Sequence, residues 1–158
     1  MTIIKLLFLC VVAFPALPIM AQEKTADTNM QILLEKVKAD KKLVVAANMG
    51  LTEAEGQAFW PLYDSYQKDL QVINERLKKT ILAYAEAYNK NALTDAAATQ
   101  LTAEALESDL AELNLRRTYA SRLARVLPAK KVARYLQIEN KIRAAIRFDL
   151  ASEIPLAP

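Results

Sequence analysis

The stretch Gly50-Leu51-Thr52-Glu53-Ala54-Glu55 carries the strongest local instruction in this chain. Thr52 followed three residues later by Glu55 is a capping box, in which hydroxyl and carboxylate each satisfy a free amide at a helix start. Leu51 lies just before the cap, where it can staple onto an apolar residue one turn in. Gly50 suits the left-handed position that closes a preceding helix. One helix therefore ends here, the chain turns, and a longer helix begins. A weaker echo follows at Leu127-Pro128-Ala129-Lys130-Lys131. Aligning Leu51 with Leu127 places Phe59 over Tyr135, Leu62 over Ile138 and Tyr66 over Ile142.

Two helix starts do not make a fold class, but the glycine count does. Only 2 of 158 residues are glycine, too few for the turns of a doubly wound or all-β protein. With Leu, Ala, Ile and Val supplying most apolar positions, the expectation is all-α, with four helices.

Residues 1–21 read as a secretory signal peptide. Lys5 gives the positive n-region, Leu6 to Phe14 the apolar h-region, and Ile19-Met20-Ala21 a cleavage site before Gln22. The run Leu6–Ala21 is 16 residues with Pro15 and Pro18 inside it, short of the roughly 20 that a spanning helix needs. Leu9 before Cys10 argues against a lipoprotein signal, which needs a small residue there. The expected product is an exported protein, with no stable membrane insertion after cleavage.

A loose segment is expected over 22–28 and a helical domain over 29–152. The first helix runs from Asn29 to about Asn48, with Ile32, Leu33, Val37, Leu43 and Val44 inward and Lys36, Lys38, Lys41 and Lys42 outward. The second runs from the capping box to about Asn89. On it Leu70, Ile73, Leu77, Ile81, Tyr84 and Tyr88 form a coiled-coil-like seam, and Pro61 predicts a bend. Phe59, Trp60, Tyr63 and Tyr66 form an aromatic cluster that reads as core or dimer interface rather than a ligand box. Asn89-Lys90-Asn91 makes the next turn, and Thr94-Asp95 caps a third helix ending near Val126.

That third helix has two apolar faces. Leu106, Leu110, Leu113 and Ala124 share one; Leu101, Ala105, Tyr119 and Val126 share another. Such a helix has two neighbours, which predicts an antiparallel hairpin with the second helix and a further contact, either a second subunit or the terminal helices. The expected assembly is a homodimer. A fourth helix runs from Pro128 to about Ala151 on the stripe Val132, Tyr135, Ile138, Ile142 and Ile146, and 153–158 is a tail.

The chain contains no histidine and one cysteine, Cys10, inside the leader. Ser-His-Asp and Cys-His nucleophile systems are therefore impossible, as are His- or Cys-ligated zinc and iron–sulfur sites. No nucleophile, base and orienter can be assembled, so no catalytic residue, metal ligand or cofactor is assigned.

Charge is unevenly spread. Residues 22–115 hold 10 basic and 15 acidic side chains, whereas 116–147 hold 10 basic ones against Glu139 alone. Arg116, Arg117, Arg122, Arg125, Lys130, Lys131, Arg134 and Lys141 are the candidate partner-binding residues, a basic surface for an acidic partner. Arg143 and Arg147 flank the apolar stripe. In the competing reading, these cations pair with acids of the long helices or lie over apolar neighbours. Nucleic acid is not the expected partner of an exported chain.

Leu51-Thr52-Glu53-Ala54-Glu55 resembles the LTxxQ motif of the Spy/CpxP group of periplasmic proteins, with Glu55 in place of Gln. Leu127-Pro128-Ala129-Lys130-Lys131 resembles a degenerate second copy, with Pro128 for Thr and Lys131 for Gln. The resemblance implies a four-helix, cradle-shaped homodimer in the periplasm. It also implies an ATP-independent holding chaperone or envelope-stress protein, binding unfolded or acidic clients on a basic, partly apolar surface. The alternative it carries is a regulatory adaptor that docks the acidic domain of an inner-membrane sensor kinase and inhibits it. A third is a metal-responsive sensor, which here could use only carboxylates such as Glu104, Glu107 and Asp109.

Overall fold

The structure, a computed structural model, describes residues 40–158. The leader, the 22–28 segment and the expected core residues Ile32, Leu33 and Val37 lie outside the described residues. Those described are helical and carry no strand: α1 over 40–49, α2 over Glu53–Asn89, α3 over Asp95–Leu123 and α4 over Ala129–Glu153. None of these helices is long and apolar enough to cross a membrane.

The turns obey the local chemistry. Gly50 sits at φ 56°, the left-handed conformation that only glycine adopts without steric cost. Thr52 then caps α2: its Oγ1 accepts from the Glu55 amide, and the Glu55 carboxylate accepts from the Thr52 amide at 2.8 Å. At its other end α2 closes in a Schellman arrangement. The Ala92 amide donates to the Ala87 carbonyl at 2.8 Å, the Asn91 amide to Tyr88 at 3.0 Å, and Asn91 takes the left-handed position at φ 50°. Thr94 caps α3 through the Ala97 amide. α4 starts at Pro128 without a side-chain cap, because proline has none to offer.

At 37 residues α2 is about 55 Å long and continues through Pro61, whose ring denies the Gln57 carbonyl its helical donor. Contacts between α2 and α3 join Asp69 to Tyr119 and Thr80 to Glu104, residue numbers that rise along one helix as they fall along the other. α3 ends three residues before the expected Val126. Val126 and Leu127 donate back to the Leu123 carbonyl, and Val126 stands exposed in the turn rather than on an inward face.

The core lies where α1, the start of α2, the end of α3 and the start of α4 converge. Val45, Met49, Phe59, Tyr63, Tyr66, Leu70, Tyr119, Leu123, Leu127, Val132 and Tyr135 are buried there. Phe59 meets Tyr135 edge to face at 5.1 Å, so two positions aligned by the internal echo touch in space. Tyr66 meets Tyr119 likewise at 5.3 Å. Each such pair adds about 0.5–1.5 kcal/mol beyond the area it buries.

Three expectations need correction. On α1 the inward face is Lys41, Val45 and Met49, spaced by four, whereas Leu43 is 68% exposed and Val44 is also exposed. The helix is turned by roughly one residue, because Lys41 is drawn to a buried acid described below. Of the two places expected for the aromatic cluster, core or dimer interface, the single chain provides the core: it buries Phe59, Tyr63 and Tyr66 and half-buries Trp60, so the cluster does not require a second subunit. Finally, the α4 stripe thins along its length, from buried Val132 and Tyr135 through half-buried Ile138 and Ile142 to exposed Ile146.

Candidate functional site

Three helices, α1, α2 and α4, meet at a buried polar cluster. Glu139, only 1% exposed, accepts from the Lys41 ammonium at 2.7 Å and from Gln67 Nε2 at 2.9 Å. The same Gln67 amide reaches Tyr135 Oη at 3.5 Å, and its Oε1 accepts from Lys41 at 2.9 Å. Burial pushes the Lys41 ammonium below the usual lysine range, and the nearby Glu139 carboxylate pulls it part of the way back. Burial, followed by the Glu139 charge, raises Tyr63, Tyr66 and Tyr135 well above the ordinary phenol. These phenols stay protonated across the physiological range and cannot serve as bases there.

A second ionic group lies between α3 and α4. Buried Glu112 accepts from Arg143 and, at 3.1 Å, from Arg147, which also donates to Asp109 at 2.5 Å. With Leu113, half-buried Arg116, Asn140 and Ala144 these residues line a groove. Two polar atoms of this interior, Tyr66 Oη and Arg143 Nε, are buried with no hydrogen-bond partner among the described residues.

The two motif echoes also interlock. Lys131 of the second donates to the Gly50 carbonyl at 2.9 Å and pairs with Glu55 of the first. That ammonium, and after it the Thr52 amide, holds the Glu55 carboxyl below the usual carboxylate range. Leu51 packs at the core margin and Leu127 is buried within it, so the residues of both echoes close the fold. Pro128 is exposed and starts α4.

The predicted basic surface thus divides. Lys131, Arg143 and Arg147 pair with acids of α2 and α3, as the competing reading expected, and Lys131 leaves the candidate partner-binding set for that reason. Arg117, Arg122, Arg125, Lys130, Arg134 and Lys141 are exposed, and among the described residues none of them makes an ion pair. Arg122 lies over the Tyr119 ring at 4.7 Å, which restrains its guanidinium. Of the carboxylates considered for a metal, Glu104 accepts from Thr80 and Gln100, and Asp109 from Arg147.

Sequence reasoning missed the buried acids Glu112 and Glu139. Their one visible signal was position: Glu139 falls four residues after Tyr135, on the apolar face of α4.

Among the described residues α3 also carries an exposed apolar stripe. Leu106, Leu110 and Leu113 are 63%, 50% and 51% exposed. Arg117 continues the same helical face, four residues past Leu113. Buried Ser108 and Tyr119 occupy the opposite side of α3, towards α2.

Comparison with known proteins finds no matching family model, no matching curated protein and no matching solved structure.

Proposed function

We propose that this chain is an exported, periplasmic binding protein without catalytic activity, which holds unfolded or acidic clients without ATP. The observation that carries the reading is the set of exposed cations, Arg117 to Lys141, together with exposed leucines on α3, whose face Arg117 continues. Cations without intramolecular partners attract acidic segments at long range. Exposed apolar side chains give weak contacts to chain that has not yet buried its own. The resemblance to the Spy/CpxP group rests on Leu51, Thr52 and Glu55 and on Leu127 to Lys131. Interlocking of the two echoes through Lys131 and Glu55 supports treating them as related elements.

In the same proposal α2 and α3 form a long antiparallel hairpin, and two copies associate into a cradle through the α3 stripe. An antiparallel pairing that sets Leu106 against Leu110 of the second copy brings Arg117 within one turn of that copy's Asp95. The test is aggregation of several unrelated unfolding clients, followed by light scattering without ATP. A holding protein suppresses it at stoichiometric amounts. Binding of one partner at a fixed ratio, with no protection of the others, would establish the regulatory adaptor instead.

A further inference from the structure

Between Glu112 and Glu139 the chain places seven cations and no acid: Arg116, Arg117, Arg122, Arg125, Lys130, Lys131 and Arg134. The fold puts the end of α3, its turn and the start of α4 in this stretch, so the charges gather at one corner. That corner is braced from within. Leu123 and Leu127 are buried beneath it, the turn amides of Arg125, Val126 and Leu127 all donate back into the last turn of α3, and Arg122 is stacked on Tyr119. Of the acids in contact with this end of the molecule, Glu55 holds Lys131 and Asp69 accepts from Tyr119, while Glu53 is exposed at the start of α2. Arg122, Arg125, Lys130 and Arg134 all point into solvent. Between them Val126 is 38% exposed at the tip of the turn.

From this we propose that the α3–α4 corner is a docking surface for anionic phospholipid bilayers, bound peripherally through headgroup phosphates with Val126 at the interface. Shape favours a bilayer over a chain-like polyanion. The corner is the outside of a helical turn, and its cations line neither the groove beside Trp60 nor, apart from Arg116, the one beside Arg143. An outward corner presents its cations to a plane together, whereas an extended strand meets only some of them at a time. Four to eight clustered basic residues are what anionic leaflets attract, at about 1 kcal/mol for each cation near the surface, or about fivefold in partitioning. The inference does not rest on client holding. Its purpose would be to keep the protein at a membrane face.

The experiment is co-sedimentation of the full chain with phosphatidylglycerol vesicles and with phosphatidylcholine vesicles, reading the ratio of the two partition coefficients. That ratio cancels the apolar contribution of residues 1–21, and the charge of Lys5 is common to every variant and drops out when variants are compared with the parent. The protein should prefer phosphatidylglycerol strongly, and about 1 M salt, where the Debye length is about 3 Å, should abolish the preference. Together Arg122→Gln, Arg125→Gln, Lys130→Gln and Arg134→Gln should lower it by roughly a hundredfold or more, with the helical circular dichroism unchanged. Neutralising Lys68, Arg76, Lys78 and Lys79, four exposed cations of α2, should leave most of it. No preference in the parent protein overturns the proposal, and so does an equal loss in the α2 variant, which would reduce the effect to net charge. Binding to polyglutamate or heparin without binding to vesicles would assign the corner to a polymer and also overturn it. Aggregation protection measured without lipid reports separately on the holding function.

Discussion

Replacing Glu139 with alanine removes the acceptor at the centre of the polar cluster and strands the Lys41 ammonium, whose side chain is 10% exposed. Breaking a buried pair from one side leaves an uncompensated charge and costs about 3–5 kcal/mol. For a folded unit of this size each kcal/mol moves the midpoint by about 4 °C, so the variant should melt about 12–20 °C lower. The double replacement Lys41→Met with Glu139→Leu removes both charges and fills the space with apolar atoms. It should regain most of that loss, because desolvation offsets much of what a buried pair contributes. The assay is a circular dichroism melt of the parent and Glu139→Ala, together with Lys41→Met, Glu139→Leu and their double variant analysed as a double-mutant cycle. If Glu139→Ala melted within about 2 °C of the parent, or if the double variant were no better than the single, the cluster would not anchor α1 as argued.

Tyr66→Phe deletes a hydroxyl that is buried with no partner among the described residues, so it should be neutral or stabilising by up to about 1 kcal/mol in urea unfolding. Alkaline pH should destabilise the protein. Tyr63, Tyr66, Tyr119 and Tyr135 keep their protons in the folded state, whereas unfolded tyrosine loses its proton near pH 10. Stability is therefore intact below about pH 10 and falls above it, by about 1.4 kcal/mol per pH unit for each such tyrosine. Lys41, lowered in the folded state, acts in the opposite sense below about pH 10.4, but it is one group against four. The phenolate absorbance that these four contribute should rise with helix loss rather than before it. Leu110→Lys should convert a dimer into a monomer in light scattering at tens of micromolar while leaving helicity unchanged, since that side chain is 50% exposed within one chain.

The local signals proved legible wherever the chemistry is local. Thr52 with Glu55, Gly50, the Asn89–Asn91 turn and Thr94 gave the start of α2, its end and the start of α3, because each depends on neighbours within a few residues. The seam from Leu70 to Tyr88 is buried or half-buried as its spacing implies. What stayed hidden is long-range. Nothing near Glu139 announces Lys41, 98 residues away, and a carboxylate on an amphipathic helix reads as solvated until its partner is placed. The same pair turned α1 so that Val45 and Met49, rather than Leu43 and Val44, face inward. Of the basic segment, sequence supplied the charges but not their partners. Lys131, Arg143 and Arg147 were claimed by Glu55, Glu112 and Asp109, Arg116 was half-buried beside them, and the others were left to solvent.

The claim that the exposed cations carry client binding while the fold is independent of them is tested most directly by reversing four at once. Arg122, Arg125, Lys130 and Arg134 changed to glutamate remove no ion pair among the described residues, and the stacked Arg122 contributes about 0.5–1 kcal/mol to its ring contact. Melting should therefore shift by only a few degrees. In the aggregation assay the variant should lose protection of acidic and unfolding clients that the parent protects, and the parent's protection should weaken as salt is raised. A variant that stays folded and still protects those clients as well as the parent does would contradict the account.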